Sequence, residues 1–281
     1  MSTVDLYAVM GNPIGHSLSP AIHTQFAAQT GQALDYRAIL VPVDGLAQAI
    51  ANFRAAGGRG LNITVPFKQE AYTLADRLTP RAQHAGAVNT LCFTPGESVL
   101  GDTTDGVGLL TDLQQNLGLT LAARRVLVLG AGGAARGVLQ PLLEAAPEAL
   151  VIANRTAQRA EQLARAFAEF GPIDGIGIDA LGRQAAFDVL INATSASLGG
   201  AALELPDHLA ALGAVAYDMV YGARPTPFLE WAAAHGAGLC ADGLGMLVEQ
   251  AAESFLLWRG VRPQTVPVIS RLRAQLMAPY A

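Results

Sequence analysis

The 281-residue sequence predicts an α/β fold made of two α/β domains, each built around a mostly parallel sheet. Three observations predict it. Short apolar runs alternate with amphipathic segments along almost the whole chain, the pattern of strands joined by crossover helices. The alternation comes in two series that break near residues 102–106. The second series opens on RVLVLGAGGAARG at 125–137. That is an apolar strand running into a glycine turn and a helix, the layout of a dinucleotide-binding unit.

In the first series, Tyr7–Met10, Tyr36–Val41 and Gly60–Thr64 read as strands. Pro20–Gln29 and Leu46–Ala55 read as helices. Ser19 is the expected N-cap of the first, with Pro20 at its first helical position. Pro66 stops the third strand and starts a short helix that carries Lys68. In the second series, strands are expected at Arg125–Leu129, Leu150–Ala153, Phe187–Asn192, Ala214–Asp218 and Gly238–Cys240. Helices are expected at Gly132–Leu143, Thr156–Phe170 and Thr226–His235. A second boundary falls near 241–243. The tail, Leu244–Arg259 and Pro263–Leu276, is helical with no strand, and periodicity does not say which domain it joins.

Composition narrows the function classes. The chain is 51% hydrophobic and 15% charged, ample for a buried core. A net charge of -5 argues against a nucleic-acid partner. No apolar run is long enough for a membrane span, and the N-terminus MSTVDLYAVM has no leader pattern. Cys92 and Cys240 lie far apart and are expected as reduced, buried thiols in a cytoplasmic protein. No metal motif is present.

The glycine turn is the first candidate site. Gly130 permits a tight turn and Gly132 leaves room for a pyrophosphate. The stretch Gly130, Ala131, Gly132, Gly133 and Ala134 leads into a helix N-terminus that offers free N–H groups to phosphates. The end of the next strand usually carries an acid for the ribose 2′-OH of NAD. Here the segment reads Asn154-Arg155-Thr156-Ala157-Gln158-Arg159, with no acid and two arginines beside a helix start capped by Asn154 or Thr156. Two guanidinium groups suit a 2′-phosphate, which predicts NADP with Arg155 and Arg159 as clamps.

The first domain supplies polar loops beyond strand ends, where open α/β sheets bind ligands. These are NPIGHSLSP at 12–20, LNITVPFK at 61–68, GAVNT at 86–90 and GDTTDG at 101–106. Their Ser, Thr and Asn side chains suit a small polyhydroxy ligand. Each also has a plain structural reading, as a turn or a cap, and His16 and His23 are as readily structural as catalytic. Lys68 is the only lysine among 18 basic residues. A GC-rich genome accounts for the rarity of lysine, but not for the position of this one. Arginine can replace a surface charge; it cannot release a proton.

Together, NPIGHSLSP, LNITVPFK, GAVNT, TDGVG, GAGGAAR, NRTAQRA, INATS, YDMVY and ADGLGMLVEQAA resemble the shikimate dehydrogenase family over essentially the whole chain. The resemblance implies residues 1–104 plus 243–281 as a substrate-binding domain, with the C-terminal helices packing back on it. It implies residues 105–242 as a Rossmann-type NADP domain. Ser17 and Ser19 would bind the shikimate carboxylate, with Tyr221 near it. Asn62, Thr64, Asn89, Asp105 and Gln250 would meet the ring hydroxyls or the reacting centre. Lys68 and Asp105 would form the catalytic pair, and Met219, Gly243 and Thr194 would border the cofactor. The implied reaction is reversible NADPH-dependent reduction of 3-dehydroshikimate to shikimate, by a monomer or a homodimer. An ordinary lysine titrates at about 10.4 and is an ammonium at neutral pH, ready to give a proton.

Two positions depart from the family pattern: Thr103, where the family usually has Asn, and the loop Ser195-Ala196-Ser197-Leu198-Gly199. Three rival readings remain at this point. One is a quinate-active enzyme using NAD, which the arginine pair disfavours. The second is a folate-linked methylene dehydrogenase, which the SLSP and NRT segments disfavour. The third is a non-catalytic NADP sensor, which has no need of Lys68, Asp105 and Gln250 together.

Overall fold

The computed structural model describes residues 4–94, 96, 98–194 and 204–278. The chain divides into two units. One runs up to Gly108 and resumes over Val248–Val268; the other takes Leu109–Leu247 and the chain from Ile269 on. The expected boundaries at 104/105 and 242/243 fall at the starts of two helices, and the units change over within those helices, at 108/109 and 247/248. The last helix also continues beyond Val268 into the second unit, where Arg273 pairs with Asp242 and donates to the Gly222 carbonyl.

The first unit contains β1 (Asp5–Gly11), α1 (Ser19–Thr30), β2 (Leu34–Leu40), α2 (Leu46–Ala55), β3 (Gly58–Ile63) and α3 (Lys68–Leu74). It continues with β4 (Arg77–Leu78), α4 (Pro80–Ala85), β5 (Thr90–Cys92), β6 (Leu100–Asp102) and the start of α5 (Asp105–Thr111). The strands form one sheet, ordered β2-β1-β3-β5-β6-β4. β1 is parallel to β2 and β3, while β5 runs antiparallel to both β3 and β6. Alternation along β1 divides its side chains: Ala8 and Met10 join the core with Leu61, Ile63, Phe67 and Leu91, whereas Tyr7 and Val9 pack with Ile14 and Tyr36.

The second unit contains β7 (Arg125–Leu129), α6 (Gly133–Glu144), β8 (Ala149–Asn154), α7 (Ala157–Phe167), β9 (Ile173–Gly177), β10 (Phe187–Asn192), β11 (Ala210–Asp218), α8 (Pro227–Ala234) and β12 (Leu239–Asp242). Its sheet is parallel throughout the described pairs, ordered β12-β11-β10-β7-β8-β9, the doubly wound order of a dinucleotide-binding sheet. Both faces are covered. Val126 and Val128 meet Val138, Leu142, Leu163 and Phe167 on one face; Leu127 and Leu129 meet Leu190, Phe228 and Leu229 on the other. α7 shows why: Ala160, Leu163, Ala164 and Phe167 recur at helical spacing and all are buried.

α9 (Leu244–Arg259) begins in the second unit and continues through the first; α10 (Val266–Met277) ends the described chain. Two local expectations are corrected. Ser19 does not cap α1: Leu18 holds the cap position, with no side-chain bond, and Ser19 is already helical. The Ser19 N–H is taken instead by Ser17 Oγ at 3.3 Å. Nor are both cysteines buried: Cys92 is half-buried and Cys240, on an edge strand, is exposed.

Candidate active site

Lys68 opens α3, directly after the turn that ends β3. Asp105 opens α5, where a carboxylate is favoured by the helix dipole. The two side chains meet, Lys68 Nζ donating to Asp105 Oδ2 at 2.6 Å. Asp105 is only 7% exposed and Lys68 18%, so the pair is shielded but still reached by solvent from the lysine side.

The other carboxylate oxygen is held separately. Asn89 Nδ2 donates to Asp105 Oδ1 at 3.0 Å and also lies 2.9 Å from Thr104 Oγ1 and 3.1 Å from Gln250 Oε1. Asn89 Oδ1 accepts from the Thr104 N–H, and Thr90 Oγ1 lies 2.8 Å from it. Asn62 lies deeper. Its Oδ1 accepts from Tyr36 at 2.7 Å, and its Nδ2 reaches the Asn89 carbonyl, Thr90 Oγ1 and Ser254 Oγ. Every polar atom of the two amides therefore has a protein partner. They hold their neighbours in place, and a ligand contact would have to replace one of these bonds.

The segment before Asp105 is anchored by charge. Buried Asp102 binds the Arg81 guanidinium and accepts from Thr79 Oγ1 at 2.5 Å and from the Thr103 N–H at 2.8 Å. Arg81 also pairs with Glu253 of α9. These partners outweigh the cost of burial and hold Arg81 charged. Thr103 is buried, and its hydroxyl has no partner among the described residues.

Ser17 is half-buried and Ser19 buried, with the Ser19 hydroxyl beside the Tyr36 phenol. Burial pushes that phenol well above the ordinary range, so Tyr36 stays neutral and donates to Asn62. Thr64 is half-buried at the end of β3; its methyl closes against Gly11, where an added Cβ would meet it at 2.4 Å. His16 is exposed. His23 is fully buried and stacks on Tyr36, ring centroids 4.1 Å apart and planes 6° from parallel. It is a packing residue.

In the second unit, the glycine turn has the shape a pyrophosphate needs. Gly130 has φ +103°, and an added Cβ would lie 3.1 Å from the Thr194 methyl. A Cβ on Gly132 or Gly133 would meet nothing within 4 Å, which leaves the backbone open to a ligand. Gly132 sits at the cap of α6 with no side-chain bond, so Gly133, Ala134 and their neighbours present free N–H groups beside Ala131. Arg155, just after β8, and Arg159, in the first turn of α7, are exposed, and neither forms an ion pair among the described residues. Thr156 holds the cap position of α7 without a side-chain bond; Asn154 Nδ2 closes the turn on the Thr156 carbonyl at 3.0 Å. These residues fit NADP.

Met219 and Thr194 sit on loops tied by buried Asp218. Asp218 accepts from Asn192 Nδ2, Thr226 Oγ1 and the Val220 N–H, and Asn192 Oδ1 accepts from Thr194. Gly243 lies so close to Met219 that a Cβ would fall 2.2 Å from its carbonyl oxygen. Tyr221 is half-buried, and burial, then the nearby Asp242 carboxylate, pushes its phenol upward. Residues 195–199 lie outside the described residues.

Comparison with known proteins decides the family. Residues 9–91 match the shikimate dehydrogenase substrate binding domain, 112–199 match shikimate / quinate 5-dehydrogenase and 243–273 match the shikimate 5'-dehydrogenase C-terminal domain. A curated relative from Alkalilimnicola ehrlichii, named shikimate dehydrogenase (NADP(+)), is 60% identical over 96% of this chain and 99% of its own. The chain belongs to the shikimate dehydrogenase family.

Solved structures agree. An Ael1 enzyme from Pseudomonas putida is 47% identical with a TM-score of 0.87, covering 98% of this chain and 99% of its own. The shikimate 5-dehydrogenase of Thermus thermophilus, solved with NADP(H) and shikimate, is 36% identical with a TM-score of 0.85, covering 97% and 100%. As a member of this family, the chain joins Lys68, Asp105, Asn62, Asn89 and Gln250 into one bonded cluster in its first unit, with Ser17, Ser19 and Thr64 in the same unit. Thr194, Met219, Tyr221, Gly243 and the glycine turn belong to the second. Thr90, in the GAVNT loop that the sequence pointed to, completes the cluster together with Tyr36 and Ser254, which sequence reading missed. Tyr36 carried a signal, as a tyrosine in a strand; Ser254 carried none, since its partner Asn62 lies 192 residues away.

Proposed function

We propose that the chain reduces 3-dehydroshikimate to shikimate reversibly, with Lys68 as the proton donor and Asp105 and Asn89 as the groups that aim it. The observation that carries this reading is the bonded sequence Lys68–Asp105–Asn89, in which each carboxylate oxygen has its own partner. When bound, NADPH supplies the hydride for the C3 carbonyl carbon. As the carbonyl oxygen gains negative charge, the Lys68 ammonium stabilises it and transfers a proton, giving the C3 hydroxyl. The neutral amine then takes a proton from solvent. Asp105 keeps one oxygen on Lys68 and the other on Asn89, which limits the rotation of both reacting groups.

Ser17 and Ser19 would bind the substrate carboxylate through hydroxyl donors, with Tyr221 near it. Thr64 and Gln250 would take ring hydroxyls, while Asn62 and Asn89 act mainly by holding the cluster. The glycine turn, with Gly130 to Ala134, would receive the pyrophosphate, and Arg155 and Arg159 the 2′-phosphate. Met219 and Gly243 would flank the nicotinamide, with Thr194 also against the cofactor. The same reading puts the enzyme in the cytoplasm, as a monomer or a homodimer; among the described residues no helix is long and apolar enough to cross a membrane.

Lys68→Arg and Lys68→Ala test the proton role. Arginine keeps the charge but does not release a proton, so both variants should lose kcat by about a hundredfold or more. Near-normal turnover in Lys68→Arg would sink the role. A raised KM with kcat held would assign Lys68 to binding alone.

A further inference from the structure

Ser254 of α9 is fully buried among the polar groups around Asn62 and Asn89. Four groups surround its hydroxyl oxygen: Asn62 Nδ2 at 3.0 Å, Thr90 Oγ1 at 2.8 Å, Thr104 Oγ1 at 3.2 Å and the Gln250 carbonyl at 3.1 Å. The carbonyl only accepts and the amide nitrogen only donates. Serine has one proton. Given to the carbonyl one turn back, it leaves two lone pairs on Oγ for the Thr90 and Thr104 protons, while Asn62 Nδ2 has Thr90 Oγ1 and the Asn89 carbonyl for its two hydrogens.

Those threonines flank Asn89. Thr90 Oγ1 is 2.8 Å from Asn89 Oδ1; Thr104 Oγ1 is 2.9 Å from Asn89 Nδ2 and 3.2 Å from its Oδ1. Each hydroxyl has one proton and more than one acceptor in reach. With Ser254 accepting, Thr104 turns its proton toward Ser254 and its lone pair toward Asn89 Nδ2. That seats one amide hydrogen on Thr104 and leaves the other for Asp105 Oδ1.

We propose that Ser254 is a positioning residue for the Lys68–Asp105 pair, acting through Thr104 and Asn89 by accepting the Thr104 hydroxyl proton. The inference rests on the reading of Lys68 and Asp105 as the proton-transfer pair. Without Ser254 Oγ, the Thr104 proton turns to Asn89 Oδ1 or to Gln250 Oε1, 3.3 Å away. Asn89 Nδ2 then loses its fixed direction. The change leaves Asn62 with Thr90 Oγ1 at 3.2 Å and the Asn89 carbonyl at 3.3 Å, and alanine favours a helix.

The test is steady-state kinetics of Ser254→Ala across a pH series, with thermal melting alongside. The expected result is a kcat reduced about tenfold, the scale of one neutral hydrogen bond. KM for shikimate should stay within about twofold, and the midpoint of the kcat–pH profile should move. Ser254→Thr, which keeps the hydroxyl, should recover kcat; where its methyl is not accommodated, the pH profile of the alanine variant decides. An unchanged kcat, or a lower melting temperature with the wild-type pH profile, overturns the proposal. Lys68→Ala, measured in parallel, separates the two levels. Wild-type turnover in Lys68→Ala would bring down the proton-transfer reading and this inference with it. A silent Lys68→Ala beside a Ser254→Ala of wild-type kcat and pH profile would bring down the positioning role alone.

Discussion

Asp105 gives its two oxygens different tasks, Oδ2 to Lys68 and Oδ1 to Asn89. Asn89 can serve Asp105 only because its amide is both donor and acceptor: Nδ2 reaches Asp105 while Oδ1 takes the Thr104 N–H at 2.9 Å. Asn89→Asp keeps the shape and the acceptor but deletes the donor and sets a second carboxylate against Asp105. Losing a hydrogen bond to a charged group costs about 1.5–3 kcal/mol. The expected outcome is a kcat lower by about tenfold to a hundredfold, and kinetics at saturating substrate check it; full turnover would remove Asn89 from the mechanism. On the proposed reading Arg155, after β8, and Arg159, in the first turn of α7, act on affinity instead. Arg155→Ala with Arg159→Ala should raise KM for NADP by about tenfold to a hundredfold while KM for NAD changes little, because only NADP carries the 2′-phosphate. The ratio of kcat/KM for the two cofactors reads this directly. An undiminished preference for NADP would mean that other groups hold the phosphate.

α1 brings a titratable group into the core of the first unit. His23 lies among Phe26, Tyr36, Phe255 and Trp258, and burial pushes its pKa down to about 3, although Asn62 nearby slightly favours the charged ring. The folded value lies below the unfolded one, near 6.5. The stability tied to neutral His23 is therefore intact above pH 6.5. It falls as pH drops from there toward 3, by about 1.4 kcal/mol per unit. His23→Phe keeps an aromatic ring on Tyr36 and should flatten this part of the curve. Urea midpoints at a series of pH values check it; parallel curves for the two proteins would show that His23 titrates normally. The elements themselves differ in how well the sequence announced them. β7 and β10 are built on the apolar runs Val126–Leu129 and Val189–Ile191 and fall where the sequence puts them, and so does α9. β4, β5 and β6 have two or three residues each, too few for a period to show, and both described pairings of β5 are antiparallel. β9 hides because Gly175 and Gly177 weaken its strand pattern. Gly175 is required: a Cβ there would lie 2.3 Å from the backbone of Ala160 in α7. In the site, loop motifs exposed Lys68, Asp105 and the glycine turn, whereas Ser254 becomes visible only when α9 is packed against β3 and β5.

Each unit has its own core, and on the proposed reading each carries a different part of the reaction on its own ligand loops. The first unit holds the Lys68 cluster with Ser17 and Ser19; the second holds the glycine turn and the arginine pair. A ligand stabilises the segments it binds against local opening, by an amount set by its concentration relative to Kd. Hydrogen exchange on the full chain should therefore give two distinct footprints. Shikimate alone should slow exchange in residues 17–19, 62–68 and 89–105. NADP alone should slow it in 130–136 and 154–159. At about a hundredfold excess over Kd the stabilisation approaches ~2.7 kcal/mol, or about a hundredfold in the exchange rate of amides that open with the bound segment. Within 130–136 the most informative amides are those of 133–135, because the first N–H groups of α6 have no intrahelical partner, whereas those of Gly130 and Arg136 are bonded to the Ala153 and Gly132 carbonyls. Protection of 130–136 by shikimate, with 62–68 left unchanged, would reverse the assignment of ligands to loops. Protection of 154–159 by NADP and not by NAD would tie the arginine pair to the extra phosphate, independently of any measurement of rate.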